Sequence, residues 1–93
     1  ITDSSFITIS GNNLSGNSDG MELVDVFSVN IENNIVANSL NNGVIVQQAD
    51  MVTLLSNTIT NSGDNGFFAR SGANGSIVLT DNTFDGYDIG ALF

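Results

Sequence analysis

In four short stretches of the chain, apolar residues recur at every second position: Phe6-Ile7-Thr8-Ile9, Phe27-Ser28-Val29-Asn30-Ile31, Met51-Val52-Thr53-Leu54 and Ile77-Val78-Leu79. A period of two predicts strands with one face turned to a core, not helices. Each stretch leads to an asparagine and then an aliphatic or aromatic residue: Asn12-Asn13-Leu14, Asn33-Asn34-Ile35, Asn57-Thr58-Ile59 and Asn82-Thr83-Phe84, the leading asparagines spaced by 21, 24 and 25. A second column places glycine before an apolar run at Gly20, Gly43, Gly66 and Gly90, spaced by 23, 23 and 24. Two columns that keep one period mark an internal repeat.

A repeat near 23 residues with two or three short strands is too short for tetratricopeptide, ankyrin or propeller units, which need about 33 or more. Leucine-rich repeats fit the length, but their Leu-x-x-Leu-x-Leu frame is missing. The pattern therefore predicts an all-β parallel β-helix, a β-solenoid of about four coils over residues 1–93, with coil boundaries near Gly20, Gly43, Gly66 and Gly90. At the corners, Asn12, Asn33, Asn57 and Asn82 are expected to stack as an amide ladder, since asparagine can donate and accept and also tolerates left-handed backbone. The four glycines would supply positive φ or close backbone approach. Three apolar columns would fill the bore: Met21, Val44, Phe67 and Ala91; Leu23, Val46, Ala69 and Phe93; Leu14, Ile35, Ile59 and Phe84.

Composition sharpens this reading. With 14 Asn, 11 Ser and 10 Gly the chain favours turns and strands over helices. It has no Cys, His, Lys, Pro or Trp, so thiolate and imidazole metal sites, Cys or Ser-His-Asp nucleophiles and lysine chemistry are excluded within it. One basic residue, Arg70, faces ten carboxylates for a formal charge of -9. Nucleic acid and anionic membrane are thereby disfavoured as partners, because phosphate recognition needs basic residues. No apolar run approaches the length of a membrane-spanning helix, which predicts no membrane insertion.

The order of apolar strand, Asn-x-apolar corner and Gly-led strand resembles the right-handed parallel β-helix superfamily, which includes pectate-lyase-like proteins, alginate epimerase modules, periplasmic copper-maturation proteins and phage tailspikes. The resemblance covers essentially the whole chain and implies the fold. It implies no single activity, because the same solenoid carries lyases, hydrolases, epimerases, adhesins and inert fibres.

Candidate chemistry is sparse. Asp85-Gly86-Tyr87-Asp88 is similar to the Asp-Gly-Tyr stretch of alginate epimerases but lacks the histidine that follows there. Tyr87 with Asp85 or Asp88 would make an acid and base pair, and Arg70 would neutralise a uronate. Weighed against this, a corner tyrosine and an exposed arginine suffice. Asp81 and Asp85 fall in a stretch that partly matches a calcium loop, yet its twelfth position is Leu92 where a glutamate is needed. Calcium is thus the one cofactor entertained, and diffuse counterion association is preferred. The acids otherwise look dispersed: the position before each corner asparagine reads Gly11, Glu32, Ser56, Asp81, and that before each glycine reads Asp19, Asn42, Asn65, Ile89.

Neither end shows a capping element. Joining Phe93 to Ile1 of a following copy would place Gly90 and the next Gly20 at a spacing of 23, so the sequence predicts covalent continuation of the solenoid or end-to-end stacking into a filament. The expected function is a structural or adhesive solenoid at an extracellular or cell-surface location, more a non-enzyme than an enzyme. The alternative is a fragment of a polysaccharide lyase, hydrolase or epimerase, or a glycan-binding module, its groove carrying Arg70, Tyr87 and Phe68.

Overall fold

The computed structural model describes residues 1–70, 76–85 and 88–91. Ten strands follow in order: β1 (Thr2–Ser10), β2 (Asn13–Ser15), β3 (Met21–Glu32), β4 (Ile35–Ala37), β5 (Val44–Leu55), β6 (Thr58–Thr60), β7 (Asn65–Ala69), β8 (Ile77–Thr80), β9 (Thr83–Asp85) and β10 (Asp88–Ala91). One sheet runs β1-β3-β5-β7-β10 with β8 also on β5, and the other runs β2-β4-β6-β9. Every pairing is parallel. The result is a β-solenoid of about three turns in which the long-strand sheet and the short-strand sheet alternate along the chain. Among the described residues there is no helix, and none long and apolar enough to cross a membrane.

Register fixes the period. Met21 lies opposite Val44 and Val44 opposite Phe67, 23 residues apart each time. Past residue 70 the coil lengthens by two: Val52 pairs with Ile77 and Ile59 with Phe84, a step of 25.

The long strands are bent twice, by residues with left-handed backbone. Asp3, Asp25 and Gln48 form one such column, with φ of 51°, 55° and 49°. Phe6, Ser28 and Met51 form the next, at 55°, 59° and 53°. Further columns follow at Gly11, Asn33, Ser56 and Asp81, and at Gly16, Asn38 and Asn61. Each bend inserts one residue into the alternation, so the buried positions of β3 step Met21, Leu23, Val26, Val29, Ile31, and those of β5 step Val44, Val46, Ala49, Val52, Leu54. This is why a period of two is legible only in short pieces. The insertions let one coil turn its apolar face inward around these bends instead of lying flat.

The bore is filled by Met21-Val44-Phe67, Leu23-Val46-Ala69 and Leu14-Val36-Ile59-Phe84. Ile35, expected in the third column, instead points outward and is 46% exposed, with Val36 taking its place. The fourth rung also departs from expectation. The register slips within β10, so that Gly90 lies opposite Phe68 and Ala91 opposite Ala69, not opposite Gly66 and Phe67. The offset between the paired strands changes from 23 at Asp88 to 22 at Gly90, the mark of a local bulge. Phe93 lies outside the described residues.

Gly20 and Gly43 do not have positive φ; close approach is what selects glycine there. A Cβ on Gly43 would fall 2.5 Å from Ile59 Cγ2 and 2.6 Å from the Gly66 carbonyl, and one on Gly20 would clash with Val36 Cγ1. The coil corner is closed against the short-strand sheet at these points.

Candidate functional site

The polar groups that the fold gathers most densely are side-chain amides. Each ladder asparagine follows the last inward aliphatic of its long strand by three residues: Ile9 then Asn12, Ile31 then Asn34, Leu54 then Asn57, Leu79 then Asn82. Asn12 donates through its backbone N and its Nδ2 to Asn34 Oδ1 at 3.0 and 3.1 Å. Asn34 repeats this to Asn57 Oδ1 at 3.0 Å, and Asn57 to Asn82 Oδ1 at 2.9 Å. The second Nδ2 hydrogen turns the other way: Asn34, Asn57 and Asn82 donate to the carbonyls of Ile9, Ile31 and Leu54 in the preceding coil. Asn34 and Asn57 are 1% exposed, so this satisfaction is required of them, because an unpaired buried amide costs about 1 to 3 kcal/mol.

Asn33 is therefore not the ladder member that its place in the sequence suggests. It sits exposed in the left-handed corner, and its backbone N donates to the Leu55 carbonyl at 3.1 Å. The division of labour holds in every coil: Gly11, Asn33, Ser56 and Asp81 make the turn, and the asparagine after each makes the ladder. The signal was present in the constant offset from the inward aliphatic, which the tandem Asn33-Asn34 obscures.

A second ladder occupies the column before the glycines. Asn42 donates from N and Nδ2 to Asp19 Oδ1 at 3.1 and 3.4 Å, and Asn65 donates from both groups to Asn42 Oδ1 at 3.2 and 3.1 Å. Asp88, not Ile89, stands opposite Asn65 in the backbone register. Beside this ladder, Ser39 and Ser62 are buried and their Oγ atoms have no hydrogen-bond partner. Each lies 3.1 Å from the point that a Cβ on Gly20 or Gly43 would occupy. They act as small fillers at the tightest corner.

The residues singled out for catalysis are spread over the solenoid. Arg70 is exposed just past the end of β7, and its backbone N donates to the Val46 carbonyl at 2.8 Å. Asp88 lies opposite Asn65, five residues before Arg70 in strand register, or roughly 16 Å along the strand. Asp85 belongs to β9 in the other sheet, opposite Thr60. Tyr87 lies outside the described residues. Phe68 stacks on the buried Ile45 and is itself half-buried.

The calcium reading gains no support. Asp81 is a left-handed corner residue, and the Oδ1 of the intervening Asn82 already accepts two bonds from Asn57. Among the described residues no three His, Cys, Asp or Glu side chains gather where a metal ion could be held. On the outer face of the long-strand sheet, a depression of about 210 Å³ is lined by Asn30, Ile31, Glu32, Thr53 and Leu55. It is smaller than usual ligand pockets, which start at about 300 Å³, and has no aromatic wall.

A family model described as periplasmic copper-binding protein (NosD) matches residues 1–93. No curated protein and no solved structure matches the chain. Copper sites draw on imidazole, thiolate and thioether ligands, and this chain has no His and no Cys. Its two methionines do not converge: Met21 is buried in the bore, whereas Met51 is half-exposed on an outer corner. The residues present therefore do not fit copper. The match nonetheless spans every residue, and the solenoid has the parallel-coil architecture that the repeat demands; the chain belongs to the NosD family.

Proposed function

We propose that these 93 residues are a stiff structural segment of a NosD-family protein, one that spaces and orients other parts of the molecule and does not itself ligate copper or perform catalysis. The observation that carries this reading is the use to which the chain puts its polar side chains. Asn34 and Asn57 spend every strong donor and acceptor of their amides on the adjacent coils, leaving none for a ligand.

The location we infer is extracytoplasmic, periplasm or cell surface, because the family is described as periplasmic. Membership of the wider right-handed parallel β-helix superfamily, with its pectate-lyase-like enzymes, is likewise our inference from the fold; it brings no activity with it. A further coil, from the same chain or a second copy, would complete the burial of Ile7, Ile9 and Leu14, which are half-buried where Val29, Ile31 and Val36 in the next coil are buried.

The test is a Cu(I) titration of the purified chain against a competing chelator. Retention of no copper is expected. A stoichiometric complex lost on Met51→Leu would overturn the proposal.

A further inference from the structure

One outer corner of the solenoid breaks the economy seen elsewhere. Phe6 and Met51 stand in a left-handed column, yet Phe6 is 81% and Met51 51% exposed. Positive φ is costly for a bulky side chain, and the other left-handed positions hold Asp, Gly, Asn, Ser or Gln. Burial within the chain repays neither residue. Phe27, 41% exposed, joins Phe6 across the rungs in an edge-to-face pair with ring centroids 6.0 Å apart and planes at 86°.

The neighbouring bend of the same strands carries acids. Asp3 and Asp25 are neighbours in one left-handed column, since Thr2 pairs with Val24 and Ser4 with Val26, and Asp50 follows Phe27 in the outward column two residues further along the strand, just before the Phe6-Met51 column. Three rungs at about 4.8 Å thus set these carboxylates and apolar side chains on one strip about 10 Å tall that spans both bends, the Asp50 carboxylate already accepting from Met51 N and Ser76 N. Adjacent rungs bring Asp3 and Asp25 close enough to repel at low salt, and no Lys or Arg of this chain lies on the described coils other than Arg70 at the far end of β7. Aromatic faces and carboxylates together select a cation that carries apolar surface.

We propose that this strip docks a partner protein through a segment in which arginine or lysine alternates with aliphatic residues. The open, shallow form of the patch suits an extended segment. Charge complementarity is strong, because the chain has a net charge of -9. The basic side chains would lie over the Phe6 and Phe27 rings and pair with Asp3 and Asp25, and the aliphatic ones would cover Met51.

The experiment is calorimetric titration of the 93-residue chain with three short peptides: leucine alternating with arginine, leucine alternating with glutamate, and glycine alternating with arginine. Only the first is expected to bind, with affinity falling as salt rises. Phe6→Asn is the decisive variant, because asparagine suits left-handed backbone. It should raise the thermal midpoint while weakening the peptide by about tenfold. The pair Asp3→Asn and Asp25→Asn should weaken binding by about threefold or more, and Asp64→Asn, an exposed acid elsewhere, should leave it unchanged. Equal binding of the glycine peptide would reduce the effect to diffuse charge and overturn the proposal. So would a Phe6→Asn chain that binds normally or is destabilised, a concentration-dependent dimer abolished by that substitution, or neutral oligosaccharides that bind in the peptide's place.

Discussion

The two amide ladders use the same residue type for different work. In the Asn12-Asn34-Asn57-Asn82 ladder Asn34 and Asn57 each donate towards the C-terminal coil and also reach back to a main-chain carbonyl, so three successive coils are tied through one side chain. In the Asp19-Asn42-Asn65 ladder donation runs towards the N-terminal coil, the row begins on a carboxylate, and among the described residues there is no second tie to the main chain. Burial follows: Asn57 is 1% exposed, Asn42 is 8% and Asn65 is half-buried. The difference teaches that position, not amide chemistry, sets how much a rung contributes. The first ladder faces the bore, where water cannot substitute. The second flanks a corner where water can.

The largest expected effect is from Asn57→Asp. The introduced carboxylate would face Asn82 Oδ1 and the Ile31 carbonyl with no donor to offer, and an uncompensated buried charge of this kind costs about 3 to 5 kcal/mol. Urea unfolding at neutral pH measures it, and acidification, which protonates the group, should recover part of the loss. A loss below 1 kcal/mol would show that the first ladder is as tolerant as the second.

Truncation sharpens the contrast. Asn57→Ala leaves Asn34 N and one Nδ2 hydrogen of Asn34 without their acceptor and takes a donor from the Ile31 carbonyl, while Asn82 Oδ1 keeps the Asn57 backbone N, for about 1 to 3 kcal/mol. Asn42→Ala should cost less, near the lower end of that range, since its partners Asp19 and Asn65 are half-buried and can be hydrated. Equal midpoints for the two variants would erase the distinction. Smallest is Asp19→Asn, which keeps an acceptor for Asn42 while removing a charge; the shift should stay within about 0.5 kcal/mol.

Much of this architecture was legible in the residues. The glycine column and the in-step asparagines carry the period because both are dictated locally: close approach at Gly20 and Gly43, and bidentate stacking at Asn12, Asn57 and Asn82. The assignment of Asn33 failed because two adjacent asparagines compete for two roles that differ only in backbone sign. By sequence Asn42 and Asn65 are only uncharged positions between acids; nothing in composition distinguishes a ladder amide from a loop amide until the register is known. The slip in β10 was not visible, as Gly90-Ala91-Leu92-Phe93 imitates the earlier glycine-led runs. Arg70, Asp85 and Asp88 have the right chemistry for a site, but the winding sends them to separate strands and to both sheets. The acids that do cluster, Asp3 with Asp25, occupy corner columns whose left-handed backbone no spacing rule picked out.

The contrary sense of the two ladders has a consequence for longer versions of such a coil. In one row the side-chain carbonyls aim up the axis, and in the other they aim down it, so their dipoles oppose one another at every level. Adding turns then accumulates little polarisation at the tips. Rod length can drift through duplication or loss of single repeats without an electrostatic penalty that grows with height.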